Sequence, residues 1–450
     1  MTTQTAGTIP LYRGHWMWGS TLELAKHPTQ FFEARSQELG DTFYAAFPIN
    51  AKILMTANPD LIKYVLQTNH KNYEKDKAYD QLALLLGNGL VSSRGEFWKK
   101  QRRIAQPAFY KKSIEHLYQS MSKIADEYIA DLATKRGQVV DISKEMMAVT
   151  AKIAMKTLFS EDMKGDLLDI YNCISDAQEY VTMRSANPLI IPWYHINGRH
   201  RQFIKQRSVM DRLIYGLIDK RKSNGTEEHH DFLQMLLDAR YEETGEAMEL
   251  VQLRDELVTI FSAGHETSSN GLAWILYLLC QHPEVVEKLR SEASRVLRKG
   301  EMPKLETLKQ LSYTRQVIEE GMRLYPPVWG VSRYAKEEDE WNGHPIKAGT
   351  ITLLFIYHLH RHADLWENPE SFDPDRFAPE KVKIRPKAQY LPFGAGPRMC
   401  LGNHFAMMEM QLLLPLLVQN FDFELVKDQP ILLDPKVTLR PKYGIQMRLS

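Results

Sequence analysis

Three cysteines in 450 residues, Cys173, Cys280 and Cys400, are too few and too far apart for a disulfide framework, and their scarcity fits a reducing compartment. None of them belongs to a C-x-x-C pair, so zinc-ribbon and dithiol redox motifs are missing. Charge of one sign is missing as well. With 57 basic residues against 56 acidic ones the net charge is +1, and neither nucleic acid nor an acidic polymer is implied as a partner. Long hydrophobic runs are absent. The strongest, Gly271 to Cys280 and Leu412 to Val418, are too short to span a bilayer, and the opening M-T-T-Q-T-A-G-T-I-P has no basic segment leading into an apolar one. Length alone allows about three domains, yet no Pro/Gly/Ser-rich linker, repeat or low-complexity tract divides the chain, so one unit over 1–450 is expected.

What is present is helix. Hydrophobic residues make up 44% of the chain, and they recur at three- and four-residue spacing over Ile114 to Lys135, Ile142 to Phe159, Met163 to Val181 and Gln202 to Lys222. Glu249 to Gln281 is a periodic run of about 33 residues, roughly 50 Å at 1.5 Å per residue, and His282-Pro283 ends it. Strand signals are few. Thr42 to Phe47 and Lys52 to Thr56 flank a Pro48-Ile49-Asn50 turn. Asn342-Gly343 is expected to join Val331 to Ala335 with Thr350 to Ile356, and Phe421 to Val426 and Gly444 to Leu449 supply late strands. The fold class is mainly α with a small β-rich region, α+β.

The stretch that organises the chemistry is Leu391 to Ala406, L-P-F-G-A-G-P-R-M-C-L-G-N-H-F-A. Gly394 and Gly396 permit backbone conformations that a Cβ forbids, Pro397 stiffens the turn, and Leu401 to Leu414 is made mostly of helix formers. The sulfur of Cys400 is then expected at a helix N-terminus, where unpaired N–H groups favour a thiolate. Such a thiolate serves either as a nucleophile or as a soft metal ligand, and haem iron is the natural candidate.

This loop resembles that of the cytochrome P450 monooxygenase family, F-x-x-G-x-R-x-C-x-G, which Phe393, Gly396, Arg398, Cys400 and Gly402 match at every fixed position. The resemblance implies haem b held by Cys400 as axial iron ligand, with Phe393 and Gly394 around the sulfur and Arg398 on a haem propionate. Trp98 and Arg102, in W-K-K-Q-R, match the family's W-x-x-x-R propionate motif, and Arg333 in V-S-R-Y matches a further propionate-binding arginine. Glu320 and Arg323 match E-x-x-R, and Arg376 lies in the P-x-R-F segment; together they imply a buried triad that supports the cysteine loop.

In the middle of the long helix, Ala263 to Ser269 reads A-G-H-E-T-S-S, with Gly264 at a position that costs helix stability. Taken alone, this motif is equally a glycine packing notch with a solvated His-Glu pair. In the family, the A-G-x-[DE]-T pattern crosses the distal haem face. The resemblance therefore implies that Ala263 and Gly264 make room for dioxygen, that Thr267 hydrogen-bonds the bound oxygen, and that Glu266 relays protons. His265 sits at the pattern's variable position and should point elsewhere.

Gly87 to Ser93, G-N-G-L-V-S-S, matches the family's pocket-lining loop. Leu90, Val91, Ala263, Gly264 and Val328 would form an apolar substrate pocket, fitting a fatty acid, terpenoid or steroid that is hydroxylated or epoxidised. Electrons are expected from NAD(P)H through an external reductase and a ferredoxin or flavodoxin. The basic residues Lys99, Lys100, Arg103, Lys111 and Lys112 either form a solvated face or dock that acidic donor. A soluble, cytoplasmic, bacterial-type member with no membrane anchor is expected. A peroxide-dependent haem-thiolate enzyme and a non-catalytic haem sensor are the alternatives.

Overall fold

The axis of the molecule is the helix Leu250–Leu279. A computed structural model describes residues 8–161, 176–184, 190–223, 230–297 and 301–450. From Leu272 to Leu279 all but Tyr277 are buried, the pattern of a helix with apolar groups on every side that must lie inside a larger protein. It packs most extensively on Ile142–Phe159, and also on Ser312–Leu324, Asn403–Asn420 and Arg199–Ser223. His282 lies outside the helical region ahead of Pro283, which opens the next helix, so the run ends where expected. The described helices otherwise follow the periodic segments within a few residues, with Lys111–Ala133 and Arg199–Ser223 in place of the expected spans. Of the segment Met163 to Val181, residues 163–175 and with them Cys173 lie outside the described set, and 176–184 is helical.

The largest sheet has six strands in the order Leu11–Tyr12, Thr42–Ala46, Lys52–Thr56, Ile351–Leu354, Val331–Ala335, Tyr73–Glu74. Thr42–Ala46 and Lys52–Thr56 form the expected antiparallel hairpin, Thr42 opposite Thr56. Asn342-Gly343 acts differently from the expectation. It closes a separate two-stranded hairpin, Asp339–Trp341 with His344–Ile346, while Val331–Ala335 pairs antiparallel with Ile351–Leu354 across that insertion. The turn chemistry was sound, since Asn342 and Gly343 both take positive φ, but the strands it joins are its immediate neighbours. Ile356 begins a short helix and leaves the strand. The late strands Phe423–Leu425 and Gln446–Leu449 pair antiparallel, with Val139–Asp141 added beyond them.

Two features brace the end of the molecule that carries Cys400. A Cβ on Gly321 would lie 2.4 Å from Ile275 Cγ1, so this glycine lets Ser312–Leu324 press directly on the long helix. The same helix presents the expected charged triad. Arg323 donates to both oxygens of Glu320 at 2.7 and 2.8 Å, and Arg376 Nε lies 3.4 Å from Glu320 Oε1. Arg323 also donates to the carbonyls of His360, Pro369 and Ser371, and Glu320 accepts the N–H of Asp373. From there the support runs on: His360 Nε2 accepts the N–H of Leu391, and Tyr390 Oη donates to the carbonyl of Glu319. One buried ion pair thus ties the 360–377 segment and the entry of the cysteine loop to a single helix. Glu320→Ala should cost about 3–5 kcal/mol by stranding the Arg323 charge. Chemical denaturation measures this, and an unchanged midpoint would show that the pair is dispensable.

Candidate active site

The cysteine loop takes its shape from its glycines. Gly394 and Gly396 have φ of 72° and 69°, and a Cβ on Gly396 would overlap the carbonyl oxygen of Leu66 at 1.9 Å. Cys400 N–H donates to Phe393 O at 2.9 Å, which folds the loop back under the sulfur. The following helix is Asn403–Asn420, two residues later than the Leu401 start that the sequence indicated, because Gly402 occupies its N-cap. Gly402 sits close to the Cys400 sulfur, which a Cβ on it would approach to 4.0 Å. Protein surrounds this cysteine closely enough that burial pushes the thiol pKa up, while Gly402 N–H and the Arg102 charge pull it down.

Around the loop lies a concentration of positive charge. Arg398 stacks its guanidinium 3.7 Å from the centre of the Trp98 ring and donates to Ser93 O at 2.9 Å. Arg333 is buried and donates to the carbonyl of Ser332. Lys75, also buried, donates to the carbonyls of Leu90 and Val91. Burial, with Arg333 close by, holds Arg398 down to about 9, and burial beside Arg398, Arg333, Arg94 and Arg102 drives Lys75 well below the ordinary lysine range. Among the described residues, none of Lys75, Arg333 and Arg398 forms a salt bridge with a carboxylate. Arg94 does, with Asp80. Arg102 takes a distinct place: it donates to Met399 O at 2.7 Å, beside the sulfur.

The long helix supplies a second surface. Its hydrogen-bonded course is unbroken through Ala263 and Gly264, but Ala263 is exposed where Phe261, Ser262, His265 and Glu266 are buried. A Cβ on Gly264 would meet nothing within 4 Å. A space therefore adjoins the small residues, and Thr267, half-buried at its edge, donates to Ala263 O at 2.9 Å. His265 turns away, its Nδ1 on Phe261 O at 2.7 Å and its ring stacked on Phe261. Glu266 and Thr267, adjacent in sequence, serve different neighbours: Thr438 Oγ1 donates to Glu266 Oε1 at 2.6 Å, and Asn270 donates to Thr438 at 3.1 Å. Val328 follows Pro327, whose carbonyl accepts the N–H of Leu439 next to Thr438.

The 87–93 loop joins the two surfaces. Asp255 accepts the N–H of Asn88 and Glu256 that of Leu90, while Ser93 O receives Arg398 at the other end. A Cβ on Gly87 would lie 2.0 Å from the Asp255 carboxylate. Burial pushes Glu256 up to about 7, its charge further opposed by Asp255 and supported by Leu90 N–H and Lys75. Leu90 and Val91 are half-buried against an apolar cluster of the helical half. Lys75, Glu256, Asn270 and Thr438 escaped the sequence reading. Each lies outside the short motifs, and only the packing of distant segments reveals its partner.

A family model described as Cytochrome P450 matches residues 9–449. The chain belongs to this family. It is 32% identical over 415 residues to cyclooctat-9-en-7-ol 5-monooxygenase of Streptomyces melanosporofaciens, a match spanning 92% of this chain and 87% of that protein. It is also 31% identical to cytochrome P450 4A24 of Sus scrofa, over 88% and 82% of the two chains. The crystal structure of the cytochrome P450DA haem domain superposes with a TM-score of 0.90 at 26% identity, over 99% of this chain and 98% of that one.

As a cytochrome P450 the protein is a haem monooxygenase, an oxidoreductase that uses O2, and its cofactor is haem held through a cysteine thiolate. The residues present suit that group. Haem carries two carboxylates, and the buried Lys75 and Arg333 and the half-buried Arg398, none of them in a salt bridge among the described residues, lie beside the cysteine loop that the family's motif singles out. No helix among the described residues is long and apolar enough to cross a membrane. Replacing the sulfur tests the ligand assignment. In the reduced, carbon monoxide-treated protein, Cys400→His should abolish the red-shifted Soret band of a thiolate-ligated haem; a band that survives the substitution would rule Cys400 out.

Proposed function

We propose that this cytochrome P450 inserts one oxygen atom of O2 into an apolar, lipid-like substrate of the terpenoid, fatty acid or steroid class, by hydroxylation or epoxidation. The observation that supports this reading is the pair of small residues Ala263 and Gly264 in the middle of the long helix, next to the hydroxyl of Thr267, which donates to Ala263 O. The relative from Streptomyces acts, by its name, at position 5 of cyclooctat-9-en-7-ol, which favours an alicyclic, weakly polar substrate. Leu90, Val91, Ala263 and Val328 bring no charge to the pocket, so shape and apolar contact select the ligand.

When bound, haem supplies an iron centre that takes up electrons and activates dioxygen. The chain's own groups do the rest. Cys400 would provide the sulfur that holds the haem, with Gly402 and the Arg102 charge favouring the thiolate, and Lys75, Trp98, Arg333 and Arg398 would hold its carboxylates. Thr267 can release Ala263 O and turn its hydroxyl to donate into the adjoining space. Glu266, fixed by Thr438 on one oxygen and one residue away, would take up protons from solvent and relay them through that hydroxyl.

The 450 residues are read as one haem-bearing unit, served by a separate ferredoxin or flavodoxin and its NAD(P)H-dependent reductase. The basic surface expected to receive that donor is partly offset. Lys99 pairs with Glu96, Arg103 with Glu242 and Glu243, and Lys100 lies over the Tyr241 ring; the side chains of Lys111 and Lys112 lie outside the described set. Sequence counting registered the bases and missed acids contributed by a distant loop. Thr267→Ala should lower product formed per NADPH roughly tenfold or more, with hydrogen peroxide appearing in its place. Full coupling in that variant would contradict the proton-delivery role.

A further inference from the structure

One short arm of the chain lies across the helix Gly95–Ala105, whose Arg102 reaches Met399 O beside the sulfur of Cys400. The arm follows the helix Phe232–Asp238 and reads R-Y-E-E-T-G-E-A from Arg240 to Ala247. It is a built turn. Arg240 and Ala247 form an antiparallel bridge, Tyr241 N–H donates to Glu246 O at 2.9 Å, and Gly245 N–H donates back to Tyr241 O at 2.8 Å. Gly245 has φ of 70°, which a Cβ would oppose.

The tip of this turn meets the helix through charge. Lys100 Nζ lies 4.1 Å from the centre of the Tyr241 ring, Gln101 donates to Tyr241 Oη at 2.9 Å, and Arg103 Nη1 lies 2.8 Å from Glu243 Oε1 and 3.4 Å from Glu242 Oε2. Glu242 and Glu243 thus cancel the two positive charges that Lys100 and Arg103 would otherwise present. The side chains of Arg103, Glu242 and Glu243 are all more than half exposed, and exposed pairs of this kind hold weakly and yield to competitors and to salt. A cavity of 480 Å3, lined by Ile104, Pro107, Ala108 and Met235 as well as by the arm, lies behind them, so packing does not fix the acids of the tip.

We propose that this acidic arm is a built-in competitor of the electron donor: Glu242 and Glu243 occupy Arg103 and mask Lys100 with the groups that an acidic electron-transfer protein brings, and docking of that protein displaces them. The inference rests on the reading that an acidic donor docks on this basic helix. Docking then exchanges one set of ion pairs for another. The exchange weakens the complex, flattens its dependence on salt, and turns away acidic proteins whose charges do not match the uncovered bases.

The test titrates the haem-loaded full chain with an acidic [2Fe–2S] ferredoxin and follows transfer of the first electron by stopped flow. Glu242→Gln combined with Glu243→Gln should lower the apparent Kd about three- to fivefold at low ionic strength and make it rise more steeply with salt, until it meets the wild-type value at about 1 M, where screening reaches about 3 Å. The carbon monoxide spectrum of the reduced variant should match that of the wild type, which shows the haem site intact. The same charge change at exposed Glu337 and Glu338, by Glu337→Gln with Glu338→Gln, should give a smaller gain. Equal gains in the two double variants would overturn the proposal, because net charge alone would then account for them. An unchanged Kd in the arm variant would overturn it as well; the donor reading survives that result if Lys100→Glu weakens docking, and falls with it if Lys100→Glu has no effect.

Discussion

Positive charge held inside a protein without a counterion is costly, and the ground beneath the cysteine loop is built from such charge. Lys75, Arg333 and Arg398 lie within mutual electrostatic reach, and burial lowers the pKa of both Lys75 and Arg398. Their hydrogen bonds go to carbonyls, which satisfy donors but leave the charge uncancelled. Glu74, Asp76 and Glu256 act on these cations from a distance, but among the described residues none of them forms a salt bridge with Lys75, Arg333 or Arg398. We propose that a cofactor with two carboxylates completes this cluster, in which case the free energy of its binding adds to the stability of the fold.

Holding that site in shape falls to groups that touch no ligand. The Glu320–Arg323 pair grips three backbone carbonyls, and Tyr390 and His360 carry the restraint into the cysteine loop. Gly396 seats the loop on Leu66, and Asp255 and Glu256 fasten the 87–93 loop to the long helix. The sulfur, the cationic cluster and the Ala263 opening are thereby fixed by separate parts of the chain around one framework. In the function we propose, such framework residues keep the cofactor in place, whereas Thr267 and Glu266 act once it is there.

Much of this was legible in the residues. The loop Phe393 to Gly402 announced its cysteine because glycine, arginine and proline at fixed spacing leave little freedom, and the long helix was visible in its uninterrupted period. Glu320, Arg323 and Arg376 also met as their motifs implied. Legibility failed where distant segments decide. Lys75 reads as one surface lysine among many until the 87–93 loop folds over it. Thr438, in the bend just before the strand Leu439–Pro441, gives no sign that it holds Glu266. The Asn342-Gly343 turn was recognised, but strand partners follow from sheet order, which local pattern does not encode. The acids opposite Arg103 lie about 140 residues away, so the basic run looked more naked than it is.

The central claim, that buried cations beside the cysteine loop wait for the carboxylates of the cofactor, can be measured by comparing haem with its dimethyl ester. The iron and the ring are the same in both; only the two negative charges are removed. Haem should bind the apoprotein at least roughly 100-fold more tightly than the ester, in keeping with the loss of two charge-assisted contacts. Equal affinity for the two would show that the cationic cluster does not recognise the cofactor.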